Sequence, residues 1–215
     1  SLFGSKVLNS ASSTAPKSTE NPTFHQLWSD FNIDEKVSVF RVGAHSSLID
    51  LSLAEARINS DYGVRVLAIV CQEGKRTDIK AVDPNLLIRS GNCLVVTGKQ
   101  ANCDTFCKEH ALTPVTQSPK EAQHWLREVG AGVLLVHPKS NLVNQTVIES
   151  QFRTQYMVQV MAIKRHGELI EDVTNAPLKA GDMLFVVGAW KQLKHIRQHS
   201  RDLIFLELPD ELKLY

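Results

Sequence analysis

Apolar positions along this chain change their period in a fixed order, and the order occurs twice. Short runs at residues 37–42 (VSVFRV) and 133–136 read as strands, each ending in a polar turn, His45-Ser46-Ser47 or Lys139-Ser140-Asn141. The spacing then lengthens to four, with Ala54, Ile58 and Tyr62 in one set and Ile148, Phe152 and Tyr156 in the other. That predicts a short helix with one apolar stripe. Gly63 after Tyr62 is a helix stop, although Met157 holds that place in the second set. Residues 64–71 and 158–164 read as strands again, and Val66, Leu67, Ala68 and Ile69 predict burial on both faces. Glu73-Gly74-Lys75 and His166-Gly167-Glu168 are turn signals, so hairpins return through residues 78–82 and 169–173. Gly91 and Gly181 then precede apolar strands at 93–97 and 183–187 and predict a positive φ at a sharp turn. Amphipathic helices follow at 101–110 and 191–199.

The two sets superpose residue by residue. Residues 47–70 (SLIDLSLAEARINSDYGVRVLAIV) and 141–164 (NLVNQTVIESQFRTQYMVQVMAIK) match at Leu48/Leu142, Glu55/Glu149, Tyr62/Tyr156, Val64/Val158, Val66/Val160, Ala68/Ala162 and Ile69/Ile163, 94 residues apart. Farther on, 88–98 and 178–188 match 90 residues apart, and the four-residue difference falls in the first hairpin, where a surface loop absorbs it. The expected fold is therefore α+β, with two tandem repeats of strand, helix, three strands and helix on a mainly antiparallel sheet. The repeats are placed at 24–112 and 131–215. Residues 113–130 form a linker with a connecting helix, opened by the capping box Ser118-Pro119-Lys120-Glu121 and running to Val129. Residues 24–31 (FHQLWSDF), with Trp28 matching Trp125, predict the corresponding helix before the first copy. Residues 203–208 predict a last edge strand stopped by Pro209.

Composition narrows the function. Of 215 residues, 24 are basic and 23 acidic, so no net field favours a nucleic-acid partner. The longest apolar runs, 133–136 and 203–206, fall far short of a membrane span. Residues 1–23 are rich in Ser, Thr, Asn and Lys and read as a disordered linker cut in mid-course, with no signal peptide. Cys71 and Cys93 sit in strand-like runs, where cysteine acts as a small hydrophobe, which points to a reducing cytosolic setting.

Candidate chemistry is sparse. Cys103, Cys107 and His110 recur within eight residues like metal ligands, yet the repeat places Leu193 and Ile196 at positions equivalent to 103 and 106, so Cys103 is expected in the core. Gly130-Ala131-Gly132 looks like half a dinucleotide fingerprint but follows a helix and opens a strand, the reverse of the required order. Glu171-Asp172 are strand neighbours pointing to opposite faces. The two polar turns carry exposed donors for an anion, with simple turn chemistry as the plainer account. The histidines form no nucleophile elbow or paired metal motif. No catalytic, cofactor-binding or metal residue is assigned, no cofactor is expected, and the ligand-binding residues are left unknown.

The helix-to-strand joins at 62–69 and 156–163, with the Leu-x-x-Gly-Asp-x-Leu-x-Val-x-Gly pattern at 178–188, resemble the TrkA-C (RCK-C) module of potassium uptake and conductance systems. The first copy departs from the pattern at Ile88 and Asn92. Two such modules without a preceding Rossmann half resemble the cytosolic insert of bacterial divalent anion:sodium symporter-like transporters. The resemblance implies a non-catalytic, ligand-sensing domain pair at the cytoplasmic face of the inner membrane. It also implies a homodimer, joined to a transmembrane part of its own chain and biased by a small-molecule effector. Two other readings are a dimerisation module without sensing and the regulatory subunit of a potassium uptake system.

Overall fold

The computed structural model describes residues 24–73, 76–116 and 119–206. The linker expected at 1–23, the capping Ser118 and Pro209 lie outside the described residues.

Each repeat folds as the apolar periods predict and then adds one strand. The first contains β1 (Ser38–Val42), α2 (Ile58–Tyr62), β2 (Arg65–Glu73), β3 (Arg76–Ala81), β4 (Cys93–Thr97), α3 (Gln100–Glu109) and β5 (Leu112–Pro114). The second contains β6 (Ala131–Val136), α5 (Phe152–Tyr156), β7 (Gln159–Arg165), β8 (Glu168–Leu169), β9 (Met183–Val187), α6 (Trp190–His199) and β10 (Leu203–Phe205). Before them stand α1 (Phe24–Asp30) and α4 (Pro119–Val129). The strand orders β3-β2-β4-β1-β5 and β10-β6-β9-β7-β8 are the same order read from opposite ends, and every pairing is antiparallel. The fold is thus α+β with two tandem repeats. β10 is the edge strand expected near the end, and β5 is its unforeseen counterpart.

Two local expectations change. Ala54 and Ile148 do not extend the helical stripes: both are exposed, Ile148 by 56 %, and the helices begin only at Ile58 and Phe152. The preceding turn closes on itself, because the Ser52 and Glu55 backbone amides donate to each other's side chains, as do those of Thr146 and Glu149. Arg57 and Gln151 then take a left-handed φ of 47°, which separates this turn from the helix. In the second hairpin β8 ends at Leu169, so Glu171 and Asp172 lie beyond it rather than in a returning strand. Asp172 accepts from the backbone amides of Thr174 and Asn175, and the Asn175 hydrogen bonds hold its carboxyl below the usual range.

Both sheets are buried on both faces. Toward their own helices they carry Phe40, Ile69, Leu94 and Val96 in the first repeat and Leu134, Ile163, Leu184 and Val186 in the second. Their other faces meet in one shared core that contains Leu67, Ala68, Val95, Met161, Ala162 and Phe185. A β-bulge makes this possible. The register of β2 on β4 slips between Val66 and Ala68, and that of β7 on β9 slips between Val160 and Ala162. The extra residues, Leu67 and Met161, therefore point the same way as their successors, and two consecutive side chains enter the shared core.

The helices between the sheets are crossed. α4 packs on β2 and β3 of the first repeat, although it precedes the second. α1 precedes the first repeat, yet Trp28 and Phe31 meet Phe185 of β9 at 6.3 and 5.6 Å between ring centroids. Lys164 on β7 reinforces this by donating to the Asp30 carbonyl and lying over the Phe31 ring. Each repeat's leading helix thus fills the other repeat's sheet.

Equivalent places use different chemistry with the same result. The turn before β9 folds around Asp182, 0 % exposed, which accepts from the Lys179 amide and takes two hydrogen bonds from Arg165, each at 2.8 Å. In the first repeat Asn92 accepts from the Arg89 amide at 2.9 Å, and its side-chain nitrogen reaches Cys71, the counterpart of Arg165. A buried carboxylate needs a cation, whereas an amide does not. Asp182→Asn alone is expected to cost about 2 kcal/mol in urea unfolding, because Arg165 loses its charged partner. Adding Arg165→Cys, which copies the first repeat, should recover about half of that loss. The turn glycines behave as predicted, with φ of 83° at both Gly91 and Gly181. Met157 also keeps a left-handed φ of 56° and is 59 % exposed. Met157→Gly should therefore stabilise the chain by about 0.5–1 kcal/mol, read as a small rise in melting temperature.

Candidate functional site

The sequence-level candidates resolve into structural roles. Cys103 and Cys107 are 1 % and 8 % exposed in the first repeat's core, and burial pushes both thiols upward in pKa, away from the ligating thiolate. The Cys107 thiol donates to the Leu112 carbonyl, and among the described residues no group of three ligating side chains converges. His110 packs its ring against Tyr62 and Phe106 and pairs through Nδ1 with the Ser47 hydroxyl; burial holds its pKa below the usual value. All four cysteines are free thiols.

The two polar turns are occupied by their own hydrogen bonds. Ser46 and Ser140 are buried and accept from the amides of Leu48 and Leu142. The Asn141 amide donates to Asp202 and the Lys139 amide to His137. Gly130-Ala131-Gly132 joins the end of α4 to β6, as its order in the sequence requires.

What remains is a cleft between the repeats, of about 240 Å³, which sequence reasoning did not single out. Asn59 on α2 and Arg65 at the start of β2 form one side; Ile148, Gln151, Arg153 and Gln159 contribute to the other. The site sits where the two copies face each other, since Asn59 and Arg153 are equivalent positions, as are Arg65 and Gln159. Arg65 is half-buried, and its pKa is lowered first by burial and then by the nearby positive charge of Arg153. Neither guanidinium forms an ion pair among the described residues. Among the described residues no carboxylate lines the cleft.

A second cleft, about 350 Å³, lies within the second repeat between Tyr156, His195, His199 and Asp202. Here the Tyr156 hydroxyl donates to Asp202, and burial with the neighbouring carboxylate pushes its pKa up to about 12. Asp202 is engaged again by the Asn141 amide, so this cleft's charge already has internal donors. No helix among the described residues is long and apolar enough to cross a membrane.

Comparison with known proteins places this sequence in a family. The model described as the TrkA-C domain matches residues 37–111 and 133–200, one match per repeat and most of the chain. An uncharacterized transporter of Escherichia coli K12 is 27 % identical over 193 residues, covering 88 % of this chain and 32 % of the relative. An uncharacterized transporter of Synechocystis sp. is 25 % identical over 187 residues, 83 % of this chain and 30 % of the relative. The chain spans about a third of the length of both relatives. Among solved structures, the RCK_C domain of the potassium transport protein KtrA in complex with cyclic diadenosine monophosphate is 24 % identical, with TM-score 0.31 over 38 % of this chain and 98 % of that one. The GsuK RCK domain is 10 % identical, with TM-score 0.33 over 76 % of this chain and 63 % of that one.

Proposed function

The chain belongs to the TrkA-C domain family, and from that premise we propose that it is the regulatory, ligand-sensing domain pair of a membrane ion or anion transporter. The observation that carries this reading is the coverage: nearly all of this chain aligns within about a third of two proteins described as transporters. In this reading the pair is non-catalytic, lies at the cytoplasmic face of the inner membrane and works beside a transmembrane part of its own chain. It functions as a homodimer about a two-fold axis.

The fold supports a switching role. Crossed helices and a shared core tie two units of similar architecture together, so a change at their junction moves one against the other. An effector acts only through different affinities for the two arrangements of the membrane part. The test is transport by the full-length protein in proteoliposomes, compared with a version lacking residues 37–200. Sensing predicts that the truncated form still inserts and transports but no longer responds to a ligand that raises the melting temperature of the intact pair. A purely structural module predicts instead that truncation dissolves the oligomer while no small molecule alters either flux or melting.

A further inference from the structure

We propose that the cleft between the repeats binds a small oxyanion carrying two negative charges, a phosphate or sulfate group or a pair of carboxylates, clasped by Arg65 from the first repeat and Arg153 from the second. This deepens the ligand-sensing reading and rests on it for its regulatory meaning, though not for the binding itself. Guanidinium forks match the planar spread of oxyanion oxygens, and two of them match a dianion better than a single charge. Gln151 and Asn59 add neutral polar groups at the rim, while Gln159 is held by its own donation to the Val160 carbonyl. Ile148, exposed by 56 %, gives the cleft an apolar wall for a short carbon body.

Three independent observations converge here. Among the described residues the cleft contains two cations and no acid. It spans both repeats, so an occupant bridges them. It also holds a cost that folding alone does not explain: Arg65 is half-buried beside a like charge, with no ion-pair partner among the described residues. Unfavourable charge placement of this kind is retained where a ligand supplies the missing counter-charge. The repeat also shows what a version without that cost contains, since the equivalents of Arg65 and Arg153 are the neutral Gln159 and Asn59.

Those counterparts define the test. The melting temperature of the full chain is measured in sodium phosphate at pH 8, sodium sulfate and sodium succinate, each against sodium chloride of equal ionic strength to remove general screening. At tenfold the Kd, a specific dianion should raise the melting temperature by about 3–6 °C above the chloride control. Phosphate and sulfate acting together identify a single oxyanion group, whereas succinate acting alone identifies a dicarboxylate. Arg65→Gln and Arg153→Asn should each abolish the shift while melting at or above the parent in chloride. Arg65→Lys keeps the charge without the fork and should weaken the shift at an unchanged starting temperature. Shifts no larger than those of chloride, or shifts that survive both neutral variants, overturn the proposal. Failure here, with transport that still responds to some ligand only when residues 37–200 are present, removes this site and leaves the regulatory reading standing; absence of any such response as well removes the two together.

Discussion

Gly130→Ala should destabilise the chain by about 3–5 kcal/mol, with a fall in melting temperature of about 10 °C or more. Gly130 ends α4 with a φ of 129°, a conformation that side chains with a Cβ rarely adopt. A Cβ there would stand 2.2 Å from the Gly188 carbonyl oxygen and 3.0 Å from the Trp190 backbone nitrogen. Both are main-chain atoms, so no rotamer change relieves the clash. The Gly188 amide donates to the Gly130 carbonyl at 3.0 Å and Trp190 Nε1 donates to the Arg127 carbonyl, so the displaced segment loses these bonds together. Urea unfolding of the variant checks the magnitude. A loss under about 1 kcal/mol would show that α4 and the Gly188 turn can separate cheaply, contrary to the packing described.

Trp28→Ala comes next, at about 3–5 kcal/mol, as expected for emptying a fully buried aromatic site. Where the damage falls is the sharper part of this prediction. Trp28 lies 157 residues before Phe185, yet its ring meets Phe185 edge-on with interplanar angle 86°. Hydrogen exchange should therefore speed up along β9 and β7 of the second repeat more than along β2 and β3 of the first. Preferential loss of protection in the first repeat would contradict crossed docking.

Much of the architecture follows from period alone. Short apolar runs and four-apart apolar positions mark nine of the ten described strands and both copies' helices, because their apolar residues must be covered and one backbone geometry aligns them. β5 escapes this logic: Leu112, Thr113 and Pro114 are too few to show a period, and a proline invites a loop reading although an edge strand tolerates it. The run Val66 to Ile69 announces burial on both faces but not its cause, since a bulge is a property of the pairing rather than of either strand. Spacing alone draws Ala54 and Ile148 into helical stripes, whereas the Ser52–Glu55 and Thr146–Glu149 bonds close a separate turn there.

Crossed docking is hidden for a related reason. An apolar stripe on α1 states that the helix must be covered, without naming which of two similar sheets covers it. Arg65 and Arg153 look like ordinary surface charges one at a time. Their signal lies in comparing the copies, where both stand inside well-matched segments opposite a neutral residue, Gln159 and Asn59. Asn92 and Cys71 show the same kind of signal, because the loss of a carboxylate in one copy goes with the loss of its arginine.

The crossing of α1 also decides how the chain would bear a load. The first described element rests on the second sheet through Trp28 and Phe31, and the last, β10, is hydrogen-bonded to β6 of that same sheet. Tension applied at residues 24 and 206 would thus run through the second repeat, while the first hangs between them as a side arm outside the line of force. In mechanical terms the second repeat is the anchor plate and the first is the lever.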